Sequence, residues 1–368
     1  TVVDGQITVT RDGRIDDYPT GVASVEILTL GAGGGSIAHV DKGGLLQVGP
    51  ESAGAEPGPA CYQRGGIRPT VTDAYIALGY LSPGRFLGGR MQLSRDAAVK
   101  AITEHVATPL EVDLETAALG ILRVVNERMI NGILEMTVRR GIDPRGLTLV
   151  TGGGATGVAA IELARELGIT KIIVPRETSV LCALGALNAD LKRSNVVSFF
   201  STTRYFSADR INDELARLRA EGEEFLELLG VEKSRRRYEL FASARYPLQV
   251  TELDVACPNT KINQDDITAI AARFHDQYRE RYSIAEPEND VELVMWRLVA
   301  TGVVDASRRP GPSPLEADKN LGDTGFYDPV TQCWEQAMMV DPDNMIKGKI
   351  ISGPALLVAA DTTVVVPS

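Results

Sequence analysis

The chain has few of the residues that build metal centres and disulfide frameworks. In 368 residues it has four cysteines, Cys61, Cys182, Cys257 and Cys333, with no C-x-x-C pair, and three histidines, His39, His105 and His275. That scatter suggests neither a zinc site nor a disulfide scaffold, and a reducing cytoplasm fits it best. Positive charge is also short: the formal net charge is -11. A surface of that sign is not built to neutralise phosphate backbones or anionic lipid, so the reading is no nucleic acid, no membrane, and partners that are small molecules or other proteins. No apolar run reaches the roughly 18 to 20 residues of a spanning helix. The charged start and apolar core of a signal peptide are missing too. There is no internal repeat of fixed period and no low-complexity tract. The chain opens "TVVDGQITVTRDG" without an initiator Met, which reads as a fragment or processed piece entering mid-fold on a strand.

What is present is an ordinary soluble composition, 44% hydrophobic, on a chain longer than one core usually serves, so about two domains are expected. Alternation in "TVVDGQITVTRDGRI" predicts strands turning at Asp4-Gly5 and at Asp12-Gly13. "TVTDAYIALGYL" predicts a short helix capped by Thr72 or Asp73 and ended by Gly79, and Ser94 caps a second over "SRDAAVKAITEHVA". The strongest helix runs from Leu114 to Arg140. Ala118, Ile121, Leu122, Val125, Met129, Ile133 and Met136 form its apolar stripe, Asp113 caps its start, and Arg139, Arg140 and Gly141 close it. Strand "LTLV", a glycine turn, helix Val158 to Leu167, strand "KIIVP" and helix "VLCALGALNADL" follow, which is α/β layering. Beyond Asn195 charged helices alternate with strand-like segments, Arg308 to Asp323 reads as a linker or long loop, and short strands end the chain. The boundary is placed near Val197, giving residues 1–197 as one domain and 198–368 as a smaller α+β domain with a strand-rich tail.

Two segments are overloaded with glycine. "TLGAGGGSIAHVDKGG", Thr29 to Gly44, holds six glycines in sixteen residues, and "VTGGGATGVAA" spans Val150 to Ala160. Glycine costs conformational entropy and is used where φ must be positive or where something must approach the backbone closely. Between a strand and a helix, such a turn leaves N–H groups free at a helix N-terminus, where the dipole favours anions. It serves equally as a tight corner that packs the helix on the sheet, and both readings stand. "LVTGGGATG" lacks the Lys-Ser/Thr ending of a P-loop and the G-x-G-x-x-G spacing of a dinucleotide fingerprint.

The order GAGGGS, VGPESAGAEPGPACY, PTVTDA, LG and FLGG resembles the signature block of the hydantoinase A/5-oxoprolinase family, which includes large subunits of ATP-dependent acetone and acetophenone carboxylases. The likeness continues through "GIDPRGLTLVTGGGATG", "ARELGITKIIVP" and "SVLCALG", and more weakly over nearly all the rest except the region of residues 310 to 345. It implies the α/β fold of acetate and sugar kinases, actin and the seventy-kilodalton chaperones, a ribonuclease H-like, actin-like ATPase lobe. It also implies ATP with Mg²⁺ or Mn²⁺. In that fold the turn matching Gly152, Gly153, Gly154 and Ala155 contacts the adenosine, and the helix matching "VLCALGALNAD" packs at the interlobe crossing. Two GGTxTD phosphate loops lie upstream of the point matching Thr1, so this stretch by itself is expected to lack a complete ATP site.

The resemblance further implies phosphorylation of an oxygen of an unreactive amide, an enolate or bicarbonate, so that ring opening or carboxylation follows. Such chemistry needs positioned phosphates, a metal and a carboxylate. Asp73 is expected to be that carboxylate, catalytic and metal-binding, with a helix cap as its alternative role. Glu51 is read as a brace to Arg64 or Arg68, and Asp41 as a turn residue. Gly31, Gly33, Gly34 and Gly35 are expected to offer N–H donors to the phosphoryl group or the phosphorylated substrate, with Ser36 adding a hydroxyl and His39 placed near the substrate. Otherwise the first loop is a corner that lets "VGPESAGAEPGPACY" fold back. Cys61, Trp296 and Tyr282 read as core, and His275 as structurally partnered. Hydantoinases and oxoprolinases carry a GGAGPLH-like sequence where this chain has "GGGATGVAA", a form closer to the ketone carboxylases. The expectation is therefore a carboxylase subunit acting on a small carbonyl compound, in a hetero-oligomer with a hydantoinase B-type subunit. A cyclic-amide hydrolase of the hydantoinase or 5-oxoprolinase kind and a non-catalytic scaffold subunit are the alternatives.

Overall fold

The computed structural model describes the chain apart from residues 4, 11–13, 16, 17, 20–23, 305–319 and 347. The expected turn at Asp12-Gly13, Asp4 and most of the Arg308 to Asp323 linker lie outside the described residues. The chain divides into two compact units, Thr1–Leu184 with Pro312–Ser368, and Gly185–Gly311.

In the first unit Val2–Val3 pairs antiparallel with Gln6–Ile7, as the opening alternation predicts. A hairpin of β1 (Ser36–Val40) and β2 (Leu46–Ser52) follows the first glycine loop. Asp41 holds its bend: Oδ1 accepts from the N–H groups of Gly43 at 2.8 Å and Leu45 at 3.0 Å, the turn role expected of it. Helix α1 (Val71–Ala77) is capped by Thr70 rather than by Thr72 or Asp73. The Thr70 hydroxyl accepts from the Asp73 N–H and the Asp73 carboxylate accepts from the Thr70 N–H, a reciprocal capping box that satisfies two otherwise orphaned donors. Ser94 caps α2 (Arg95–Ile102) by accepting from Ala97 N.

Helix α3 (Leu114–Met136) starts on Asp113, whose Oδ1 accepts from Thr116 N at 2.7 Å. Its stripe buries Ala118, Ile121, Leu122 and Val125 in the main core. The helix stops short of Arg140. Thr137 leaves the helical region, and its hydroxyl bonds back to the Ile133 carbonyl at 2.6 Å, offering that acceptor an alternative to the regular ladder. A 3-10 turn, Val138–Arg140, and Gly141 at φ 76° finish the segment. Next come β3 (Thr148–Val150), α4 (Thr156–Glu166) and β4 (Lys171–Ile173), with β3 and β4 parallel. Parallel neighbours need a crossover, and α4 supplies it. Helix α5 (Leu181–Asn188) follows.

The second unit contains β5 (Leu191–Thr202), α6 (Ala208–Leu228), β6 (Arg236–Arg245), β7 (Leu253–Cys257), α7 (Gln264–Tyr282) and β8 (Glu292–Gly302). Its sheet runs β5-β8-β6-β7, antiparallel throughout. Ile211 and Leu218 from α6 and Ile270 and Phe274 from α7 pack with Leu240, Val255 and Trp296 from the sheet. A register shift between Ser243 and Ala244 lets Leu293 and Trp296 both turn inward although three positions separate them. Trp296 is core as expected; Tyr282, on the last turn of α7, is not, and stays 38% exposed.

The chain ends in β9 (Asn320–Asp328), β10 (Cys333–Val340), β11 (Ala355–Val358) and β12 (Thr363–Val366), one sheet in that order. The sequence groups these strands with everything after residue 197. In the structure Phe326, Ala337, Leu356 and Val365 instead share a core with Ala74, Leu78 and Ile121 of the first unit. Two glycines make that packing possible. A Cβ on Gly79, just past α1, would lie 2.4 Å from the Gly325 carbonyl oxygen, and one on Gly157 in α4 would lie 2.6 Å from that of Thr363. The Leu78 carbonyl accepts from Tyr327 N at 2.8 Å across the same contact. The expected linker also ends earlier than Asp323, because β9 is already paired there. The architecture is a mixed α/β fold. Among the described residues no helix is long and apolar enough to cross a membrane.

Candidate functional site

Both glycine segments reach one cavity of about 260 Å³ in the first unit. Gly34 and Gly35 of the first and Gly154 and Ala155 of the second stand on its wall, with Thr72 and Tyr75 from α1 and Val158 from α4. The loop Leu81 to Leu87 forms another side, and the hairpin Val358 to Thr363 joining β11 to β12 a further one.

In the first loop none of Gly31, Gly33, Gly34 and Gly35 lies in the left-handed region; close packing accounts for Gly31, Gly34 and Gly35, whereas a Cβ on Gly33 would meet nothing within 4 Å. A Cβ on Gly34 would stand 2.8 Å from Thr72 Oγ1, and one on Gly35 2.8 Å from Ser52 Oγ. The Gly34 carbonyl accepts from both the Thr72 N–H and the Thr72 hydroxyl, each at 2.9 Å, which ties the loop to the first turn of α1. The Gly33 N–H is not free for a ligand, since it donates to Ser36 Oγ at 3.0 Å. Ser36 is buried by that contact and is not on the cavity wall. Gly31 packs against Pro50, also away from the cavity. His39 is exposed on β1 and does not reach the cavity either. Ser36 and His39 therefore stand apart from the place where the two loops meet.

The second segment forms the expected strand, turn and helix, and Gly152 and Gly154 are exposed while Gly153 is half-buried. Gly153 sits at φ +106°, where side chains are strained, and its N–H donates to the Thr178 carbonyl at 2.6 Å. A Cβ on Gly154 would lie 2.7 Å from the Asp361 carbonyl oxygen, and the Thr362 hydroxyl donates to the Gly154 carbonyl at 3.0 Å. This turn is thus a corner fitted to the C-terminal hairpin and, at Gly154 and Ala155, part of the cavity rim.

Asp73 does not behave as the expected catalytic or metal-binding carboxylate. It is fully buried. Oδ1 accepts from Cys61 N at 2.7 Å, and Oδ2 from Thr70 N and Thr70 Oγ1, both at 2.8 Å, and from Ala60 N at 3.2 Å. Four donors thus already engage the carboxylate, three of them on Oδ2, in a site closed to solvent that leaves no open approach for a metal or a substrate proton. The carboxylate closes the capping box and pins the "PGPACY" turn to α1. The donor set does not fit Mg²⁺ or Mn²⁺ here, and among the described residues no cluster of three His, Cys, Asp or Glu side chains suits a metal. Cys61, beside it, is buried packing as expected; desolvation, then the Asp73 charge, push its thiol far above the ordinary range. Glu51 braces Arg68, at 2.8 Å from Oε2 to Nη1.

Several cavity residues escaped the sequence reading: Tyr62, Tyr75, Arg85, Phe86 and Asp361. Asp361 accepts from the Ser179 hydroxyl. Arg85 is exposed and has no side-chain partner among the described residues. Leu87, two residues on, holds φ 52° ahead of Gly88 and Gly89, also at positive φ, so the chain bends where it leaves the cavity wall. The "FLGG" stretch is the signal from which the bend could have been anticipated.

The chain belongs to the hydantoinase/oxoprolinase family: the hydantoinase/oxoprolinase model matches residues 1–195, and the model for the hydantoinase/oxoprolinase C-terminal domain matches residues 201–368. It is 36% identical to caprolactamase subunit alpha of Pseudomonas jessenii, over 99% of this chain and 53% of that protein. It is 31% identical to the acetophenone carboxylase gamma subunit of Aromatoleum aromaticum, over 96% of this chain and 50% of that one. Among solved structures, the ATP-dependent caprolactamase from Pseudomonas jessenii superposes with a TM-score of 0.74 at 35% identity, covering 98% of this chain and 53% of that one. A nucleotide-free acetone carboxylase gives a TM-score of 0.85 at 24% identity, covering 99% of this chain and 53% of that one, a likeness of fold. The chain spans about half the length of these relatives.

Proposed function

We propose that this chain is part of an ATP-dependent enzyme that activates a small carbonyl compound by phosphorylating its oxygen, within a hetero-oligomer that includes a hydantoinase B-type subunit. The observation that carries this reading is the meeting of the two glycine segments, distant in sequence, on one cavity wall. Support comes from the relatives, two of them named as subunits and two described as ATP-dependent. We read β3, α4 and β4 with their glycine turn as part of an actin-like ATPase lobe.

ATP, when bound, supplies the phosphoryl group. At about 260 Å³ the cavity lies just below the roughly 300–1,000 Å³ of clefts that enclose drug-sized ligands, a size that suits a single-ring compound. Gly154 and Ala155 shape its rim without filling it. Arg85, without a side-chain partner among the described residues, offers the cavity a guanidinium of the kind that stabilises the charge spread over the oxygens of a transferring phosphoryl group. Because Asp73 is fully buried and already engaged by four donors, no step is assigned to a metal at this carboxylate.

The GGGATG form of the second loop favours a ketone carboxylase. A cyclic-amide hydrolase is the second reading, favoured by the 36% identity to a caprolactamase subunit. ADP release by the full-length complex, with acetone, acetophenone, caprolactam or 5-oxoproline and with or without bicarbonate, separates them. Ketone-dependent release that requires bicarbonate supports carboxylation, and lactam-dependent release without it supports hydrolysis. Release with none of these compounds refutes carbonyl activation and leaves the scaffold role.

A further inference from the structure

Three polar side chains on the cavity wall are already committed: Thr72 donates to the Gly34 carbonyl, Thr362 to the Gly154 carbonyl, and Asp361 is taken by Ser179. The hydroxyls of Tyr62, Ser82 and Thr363 have no side-chain partner among the described residues. Tyr75 is the most enclosed of the hydroxyl-bearing wall residues. It is only 5% exposed, it lines the cavity, and its hydroxyl has no partner among the described residues. Its oxygen is not sealed in the core, so it keeps room to donate to a ligand in the cavity. Burial, and after it the Glu162 carboxylate, hold this phenol well above its ordinary value, so it remains a protonated donor.

Much of the remaining wall is apolar. Tyr62 and Phe86 set their rings 5.9 Å apart, tilted at 46°, and Leu81, Val158 and Val358 continue the surface. The one charged wall group without a partner among the described residues is a cation, Arg85, which suits an acceptor-bearing ligand better than the exocyclic amine of a purine.

We propose that this cavity is the pocket for the carbonyl compound itself, a single-ring molecule held by the Tyr62–Phe86 wall with its oxygen accepting a hydrogen bond from Tyr75. The inference rests on the carbonyl-activating reading above and adds the occupant and the residues that choose it. A seven-membered lactam and an aryl ketone share the required chemistry: an apolar ring with one carbonyl acceptor.

Calorimetric titration of the full-length, assembled protein tests it with acetophenone, caprolactam and adenosine as probes. The wild type should bind acetophenone or caprolactam. Tyr75→Phe, which keeps the ring and removes the donor, should weaken that binding roughly five- to tenfold. Phe86→Ala should weaken it at least as much, and because Phe86 packs against the Cys61, Ile76, Leu93 and Ala98 cluster its melting temperature is measured alongside to show that the variant is folded. Adenosine affinity should not change in either variant. The proposal is overturned when both variants bind the ring carbonyl as the wild type does, when adenosine affinity falls instead, or when the wild type takes up neither carbonyl probe. Carbonyl binding that never elicits ADP release from ATP would leave the pocket standing and refute phosphorylation.

Discussion

Replacing Asp73 by Asn separates a structural carboxylate from a catalytic one with a single nearly isosteric change. The native side chain accepts four hydrogen bonds, one on Oδ1 and three on Oδ2. Asn keeps one acceptor oxygen, which is best placed where three donors converge. Its amide nitrogen must then face the Cys61 N–H, 2.7 Å away in the native protein, donor against donor in a fully buried site. A hydrogen bond to a charged group contributes about 1.5–3 kcal/mol, and the buried Cys61 N–H left without an acceptor costs about 1–3 kcal/mol more. The loss is about 3 kcal/mol or somewhat above. For a unit of this size that corresponds to a fall of about 6–12 °C in melting temperature. Differential scanning calorimetry and substrate-dependent ADP release on the same full-length preparation give the answer. Turnover per folded molecule should stay within a few-fold of wild type. A variant that melts within about 2 °C of wild type yet loses turnover by about 100-fold or more would refute the structural assignment and restore Asp73 to the chemistry.

Gly34→Ala should lower stability by about 1–2 kcal/mol, because its methyl must displace the Thr72 hydroxyl from its bond to the Gly34 carbonyl. The same change made in a Thr72→Ala background should cost clearly less, and equal costs in a double-mutant cycle of melting temperatures would show that Thr72 is not the constraint. In the second unit, burial first and Arg279 second depress the His275 pKa, and its Nδ1 lies 2.8 Å from the Tyr246 hydroxyl. The folded state therefore favours the neutral ring: its contribution is complete above the unfolded value near 6.5 and is lost as pH falls through the lower folded value. Melting temperature followed from pH 7.5 downward should drop more in the wild type than in His275→Gln, and parallel curves would dismiss the linkage.

What the sequence shows well is whatever repeats at short range. The stripe from Ala118 to Val125, the Asp113 and Ser94 caps, and the strand, glycine turn and helix from Thr148 to Glu166 follow from periodicity and capping chemistry within a few residues. The Thr70 cap was legible too, since Thr70 and Asp73 stand at the capping-box spacing; attention to the carboxylate as chemistry hid its role as a partner. The other bonds of Asp73, to Ala60 and Cys61, cross a dozen residues of irregular loop, where no periodicity announces a partner. The glycines mislead in a more instructive way. Composition alone cannot tell a backbone cleared for a ligand from one cleared for another backbone. Here Gly79, Gly154 and Gly157 are cleared for carbonyl oxygens of the C-terminal sheet and its hairpin, between about 205 and 250 residues further along the chain. That same approach carries the Val358 to Thr363 hairpin to the glycine loops, so the packing that moved the sheet out of its expected domain also completed the cavity wall. The site is therefore a tertiary product: its rim glycines are visible in the sequence, whereas Tyr75, Arg85 and the hairpin join it only once the sheet has docked.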